Sequence, residues 1–170
     1  MMSFNNIKIL RCIVVNLVYL FIGGVDMKYT KSSHKRDFQL FGVFGFIENG
    51  DRGKAGTNAM NELWEIIQKN ELSHKGINHW AYLSDDKLFV GVELSNLNNL
   101  NGQLEQLDIS FNQYVSYLHV GPYHHLPLLH KQLISEIYSS KEEIKYPVIE
   151  VFGDWNDDES KLETELIYPI

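Results

Sequence analysis

Two segments with helical apolar spacing constrain this chain most. Met60, Leu63, Trp64 and Ile67 recur on one face, as do Leu126, Leu129, Leu133 and Ile137, so each segment has a stripe that must be buried against another element. The first predicts a helix from about Thr57 to Lys69, with Asn61, Glu62, Glu65 and Gln68 on its polar face. The second predicts a helix from about His124 to Tyr138, where Pro127 is tolerated in the first turn. Each helix has one strand ahead of it and two behind. Phe38–Ile47, rich in aromatic and branched residues, ends at the turn signal Asn49-Gly50-Asp51. Asn78–Leu83 and Leu88–Leu94 follow, joined by a tight turn at Asp85-Asp86. In the second half Gln113–Val120 breaks at Gly121-Pro122, and Val148–Phe152 and Glu163–Ile167 close the chain. Strand, helix, strand, strand thus occurs twice. The expected fold is α+β, two pseudo-symmetric βαββ repeats with antiparallel sheets, two long helices and a central cleft as the natural ligand pocket.

Composition narrows the class. A chain of 170 residues holds one domain, and 44% hydrophobic with 22% charged residues is the balance of a globular protein. A net charge of -7, with no Lys/Arg-rich face and no helix-turn-helix ahead of the domain, argues against direct nucleic-acid binding. Cys12 is the single cysteine, which excludes an intrachain disulfide and a thiolate metal cage and suits a reducing cytoplasm. Aromatic residues make up 12%, a surplus of the kind that lines pockets. The stretch Asn96–Gly102 reads as a polar loop in which asparagines adopt turn conformations.

Residues 1–26 stand apart. Lys8 and Arg11 precede the apolar run from Cys12 to Val25, the pattern of a secretory signal or short membrane anchor, though the run contains Asn16 and lacks a small-x-small cleavage site. Alternatively, Gly23-Gly24-Val25-Asp26-Met27 is what a purine-rich ribosome-binding site ahead of a start codon would encode, which places the true start at Met27. The expected division is an apolar leader over 1–26 and the domain over 27–170. The domain is then cytoplasmic without stable membrane association, or exported or anchored if the leader is real.

The residue with the sharpest chemical implication is Glu150, a carboxylate inside the apolar strand Val148-Ile149-Glu150-Val151-Phe152. Buried without a partner it would cost several kcal/mol or stay protonated, so a hydroxyl, an internal cation or a bound cationic ligand must compensate it. Val148 and Phe152 share its face, which favours burial over an exposed edge. Glu93 is expected on the exposed side of its strand. Trp64 belongs to a helix stripe and hence to the core. Trp80 and Tyr82 share one strand face, and Tyr117 shares a face with His119; these are the aromatic candidates for a pocket. His119, His124, His125 and His130 lack the four-residue helical spacing and added carboxylate of a zinc pair, so they read as surface and helix-start residues, and no metal or cofactor is expected. No Ser-His-Asp order, phosphate loop or dinucleotide fingerprint is present.

Three segments together resemble a known family. Tyr117-Leu118-His119-Val120-Gly121-Pro122-Tyr123-His124-His125-Leu126-Pro127, the strand Pro147–Phe152 and the ending Glu163–Ile170 are similar in order and spacing to the GyrI-like small-molecule-binding domain, the effector-binding domain of multidrug-responsive bacterial transcription activators. The resemblance runs over roughly Lys28–Ile170. It implies two βαββ repeats around a cleft for bulky, flat, cationic organic molecules, with Glu150 supplying the charge and Trp80, Tyr82, Tyr117 and Phe152 the ligand-binding aromatic surface. Phe152 stands where a tyrosine is common. The implied function is a standalone effector-binding domain for hydrophobic cations. Two alternatives remain open: a hydrolase of strained cyclopropane-type genotoxins using Glu150 with Tyr82 or Tyr117, and a protein-interaction module whose partner is a regulator or DNA gyrase.

Overall fold

The computed structural model describes residues 16–22 and 25–170, with side chains from Met27 onward. In chain order the elements are β1 Asn16–Ile22, β2 Val25–Ser32, β3 Arg36–Phe46, α1 Arg52–Lys69, β4 His74–Tyr82, β5 Lys87–Leu94, β6 Glu105–Phe111, β7 Tyr114–Val120, α2 Leu126–Ser139, β8 Val148–Phe152 and β9 Glu163–Pro169. The leader reading falls largely outside the described residues; within it, Asn16–Ile22 pairs antiparallel with Val25–Ser32. No helix among the described residues is long and apolar enough to cross a membrane.

The strands form one nine-stranded sheet in the order β1-β2-β7-β9-β8-β4-β5-β3-β6, with every pairing antiparallel. The internal repeat is visible in this order. In β3-α1-β4-β5 the last strand lies between the other two, and in β7-α2-β8-β9 it does so again. The halves meet where β4 pairs with β8, with Trp80 opposite Glu150 and Tyr82 opposite Val148. The pseudo-twofold axis therefore passes close to the residues singled out as site candidates.

Both helices pack on one face of the sheet. Ala55, Ala59, Leu63 and Ile67 of α1 and Leu126, Leu129, Leu133 and Ile137 of α2 share a core with Val90, Val92, Val148 and Leu166. The other face carries a second core of Phe38, Leu40, Ala81, Phe89, Ile109, Phe111, Ile149 and Ile167. Among the described residues no helix packs there; the sheet covers itself by curling, as wide twisted sheets do. Arg36 of β3 reaches Glu165 of β9 with two 2.7 Å hydrogen bonds, and its guanidinium lies over the rings of Phe38 and Tyr114. Phe111 at the end of β6 meets Tyr114 at the start of β7, ring to ring at 6.2 Å. At the mouth of this curl is a cavity of about 720 Å³, lined by Leu83, Leu107, Phe111, Tyr146, Pro147 and Ile170 among others. It lies away from Glu150.

Three expectations need adjustment. α1 begins five residues before Thr57, because the Asp51 carboxylate caps it by accepting from the Lys54 amide. β4 begins at His74 rather than Asn78, with a register irregularity between those two residues. β2 was not expected, and neither was β6. β6 is an edge strand on β3 in which Leu107, Ile109 and Phe111 face the second core while Gln106, Asp108 and Ser110 alternate with them.

Candidate functional site

Glu150 sits at the centre of the helix-side face. A row of residues in register runs across five strands: Tyr117 on β7, Leu166 on β9, Glu150 on β8, Trp80 on β4 and Val90 on β5. Strand alternation puts Val148 and Phe152 beside Glu150 on this face and sends Ile149 and Val151 to the other core. The carboxylate is only 4% exposed.

Two internal groups compensate the carboxylate. The Tyr82 hydroxyl donates to Oε1 at 3.0 Å, and His130 Nε2 lies 2.6 Å from the same oxygen. The other imidazole nitrogen, Nδ1, is hydrogen-bonded to the Tyr168 hydroxyl. One proton arrangement satisfies all four groups with a neutral imidazole: Tyr168 O–H donates to Nδ1, Nε2–H donates to Glu150, and Tyr82 O–H donates to Glu150. Neither bond uses Oε2. The two tyrosines feel the carboxylate. Burial, and then the Glu150 charge, push the Tyr82 phenol well above its ordinary range, with Arg52 opposing; Tyr168 is raised by the same two causes. The Arg52 guanidinium at the start of α1 lies 4.9 Å from the Tyr82 ring centroid and 3.7 Å from Asp85.

The aromatic groups form a rim around this buried centre. The Trp80 and Phe152 rings are 5.0 Å apart, and Phe152 meets Tyr123 edge-on at 5.4 Å. Trp80, Tyr117, Tyr123 and Phe152 are all partly exposed, whereas Tyr82, His130, Glu150 and Tyr168 are buried. Burial raises the Tyr117 and Tyr123 phenols, so both stay neutral. The Trp80 Nε1–H is buried with no hydrogen-bond partner. Gly56 on α1 makes room for that indole: a Cβ there would lie 2.2 Å from Trp80 Cζ3.

Each expected site residue, Glu150, Trp80, Tyr82, Tyr117 and Phe152, therefore lies on the same face. The structure adds His130, Tyr168 and Tyr123. His130 is not a surface or helix-start residue but sits in the buried stripe of α2, four residues after Leu126 and three before Leu133; that spacing is the signal that could have found it. His119 is also buried, with Nε2 3.2 Å from the Pro122 carbonyl, while His124 and His125 meet edge-on at the turn ahead of α2. Among the described residues no group of three or more His, Cys, Asp or Glu side chains could hold a metal ion. Trp64 packs against the helix-side core and donates to Asn78 at 3.0 Å; Glu93 is half-buried and paired with Lys75.

No protein-family model matches the chain, and no curated protein matches it. Solved structures do. The C-terminal domain of EcmrR superposes with a TM-score of 0.65 at 12% identity, over 83% of this chain and 96% of that one. EcmrR in its DNA complex matches at 0.62 and 15% identity, over 83% of this chain and 57% of that one. SAV2435, solved bound to tetraphenylphosphonium, matches at 0.56 and 14% identity, over 91% of this chain and 92% of that one. The fold is that of the GyrI-like effector-binding domains.

Proposed function

We propose that this chain is an effector-binding domain that takes bulky, hydrophobic, cationic organic molecules on its helix-side face, with Glu150 supplying the counter-charge. The observation that carries this reading is a buried carboxylate, with one oxygen outside both of its hydrogen bonds, set behind a rim of four partly exposed aromatic rings. A cation against aromatic faces gains about 0.5–2 kcal/mol per ring, and more where water is excluded. A carboxylate behind them adds a charge preference without demanding a shape. Trp80 and Phe152 supply flat apolar surface, Tyr117 and Tyr123 add rings whose phenols are held neutral, and Tyr82 backs the carboxylate from the buried side. SAV2435, bound to a lipophilic phosphonium, has the same fold.

The test is quenching of tryptophan fluorescence in the full chain by tetraphenylphosphonium, wild type beside Glu150→Gln. Saturable quenching is expected, at least about tenfold weaker in the variant, or about 1.4 kcal/mol. Equal affinity in the two proteins would remove Glu150 from the site. Recovery of the ligand unchanged after prolonged incubation separates binding from the hydrolase alternative, and an unaffected supercoiling assay separates it from gyrase inhibition.

A further inference from the structure

His130 occupies the position where a bound cation would act on Glu150: its Nε2 lies 2.6 Å from the carboxylate, and among the described residues it is the hydrogen-bond partner of Glu150 whose side chain can carry a positive charge. The hydrogen-bonded chain Tyr168–His130–Glu150–Tyr82 can exist in two protonation states without breaking. With a neutral imidazole, Tyr168 donates to Nδ1 and the group carries one full negative charge. With one more proton, Nδ1–H donates to the Tyr168 oxygen, and imidazolium and carboxylate make an ion pair of zero net charge. The hydroxyl needs only to rotate, because it donates in one state and accepts in the other.

We propose that His130 sets which molecules this site accepts: apolar cations when its imidazole is neutral, and uncharged aromatic molecules when the His130–Glu150 pair is internally neutralised. This rests on the reading of the helix-side face as a cation site. Binding of a cation to the protonated form then expels one proton from the imidazole to solvent, so protons and cations compete for one negative charge. The linkage is reciprocal by thermodynamic necessity. The other groups facing the pair do not supply the switch. Tyr82 from β4 and Tyr168 from β9 keep their phenolic protons, and Arg52 from α1, beyond the Tyr82 ring, is paired with Asp85. Tyr146, ahead of β8, donates to Asp85 at 2.9 Å and is held neutral.

The experiment is calorimetric titration of the full chain with tetraphenylphosphonium, a permanent cation, at a series of pH values from acid to alkaline. Two buffers of unlike ionisation enthalpy are used, with His130→Gln beside the wild type. Wild type should bind more tightly as pH rises, by up to about tenfold per pH unit, and release up to one proton in the acid half of the range. His130→Gln, whose amide N–H still reaches the carboxylate but does not titrate there, should bind with one affinity throughout and release none. Triphenylphosphine oxide, uncharged, should not lose affinity on acidification. Binding without proton release by wild type overturns the role of His130 even if the variant fails to fold, and so does a pH slope that survives in His130→Gln. Loss of the neutral probe in parallel with the cation also overturns it. Absence of phosphonium binding at every pH is a different result, which overturns the cation-site reading and this one with it.

Discussion

The indole of Trp80 rests against the backbone of α1 at Gly56, where a Cβ would fall 2.2, 2.4 and 2.5 Å from Cζ3, Cη2 and Cε3. The contact ties the first helix to the strand that faces Glu150, and it turns a helix glycine into a packing requirement. Elsewhere in a helix Gly→Ala gains about 1 kcal/mol. Here Gly56→Ala should instead lose about 1–2 kcal/mol, because the indole must move and the surrounding core is tightly packed. Its emission should shift to the red as Trp80 is displaced outward. In a Trp80→Ala background the same substitution should stabilise, so a double-mutant cycle by urea unfolding gives a favourable coupling energy, opposite in sign to the loss caused by Gly56→Ala alone. A Gly56→Ala protein more stable than wild type would mean that the indole does not lie against α1.

The two partners of Glu150 make its removal asymmetric. Glu150→Gln keeps a side-chain oxygen that can accept from Tyr82 and His130, so the fold should lose at most about 1–1.5 kcal/mol. Glu150→Leu has nearly the right volume but leaves both donors buried and unpaired, at 2% and 7% exposure, and should cost about 2–5 kcal/mol. A third variant, Glu150→Leu with His130→Leu and Tyr82→Phe, should recover much of that loss, since replacing a whole buried polar group by apolar side chains is often close to neutral. Equal stabilities for Gln and Leu would mean that the carboxylate is solvated.

What the amino-acid pattern reveals, and what it hides, follows from which interactions are local. α2 and β8 are legible because Leu126, Leu129, Leu133 and Ile137 repeat at one helical face, and Val148, Glu150 and Phe152 at one strand face. The need for a partner at Glu150 is legible too, since it follows from burying a charge. The identity of that partner is not. His130 reads as a polar residue in isolation, and only the packing of α2 over β8 brings its Nε2 to the carboxylate. β6 hides for a related reason: Gln106, Asp108 and Ser110 make it polar on one side, and its pairing strand is β3, distant in sequence. The first turn of α1, Arg52-Gly53-Lys54-Ala55-Gly56, has no large apolar stripe and is buried through small residues that admit Trp80.

Arg36 links two strands of the curled sheet that are not neighbours in its order. Its two 2.7 Å bonds to Glu165 join β3 to β9, and the guanidinium lies 5.0 Å from the Phe38 ring centroid and 5.9 Å from that of Tyr114. The pair is partly exposed, so its worth is that of a well-ordered bidentate bridge rather than a buried ion pair. Arg36→Ala should cost about 1–2 kcal/mol, and Arg36→Lys, which keeps the charge but not the planar fork, should recover less than half of it. Because part of the contact is stacking, raising the salt concentration should weaken wild type by less than the Arg36→Ala loss. Denaturant midpoints of the three proteins at low and high salt are sufficient; full rescue by lysine would reduce the contact to simple charge.

The tyrosines at the site give stability a sign against pH. Burial and the Glu150 charge raise Tyr82 and Tyr168, and burial also raises Tyr117 and Tyr123. A phenol whose folded value lies above its unfolded value of about 10 contributes stability that is whole below that pH and is lost as pH climbs towards the folded value. The free energy of unfolding should therefore not depend on these groups up to about pH 10, and should fall above it by up to about 1.4 kcal/mol per pH unit for each tyrosine that ionises only on unfolding. Tyr82→Phe separates the two consequences of one hydroxyl. At neutral pH it removes a donor to a buried carboxylate and should cost about 1.5–3 kcal/mol. Above about pH 10 it should lose stability less steeply than wild type, because one of the linked protons is gone. Urea unfolding on both sides of that pH, read beside tyrosinate absorbance of the folded protein, measures both. An unchanged alkaline slope in Tyr82→Phe would mean that this phenol ionises as readily in the folded chain as in the unfolded one, and that Glu150 does not stand behind it.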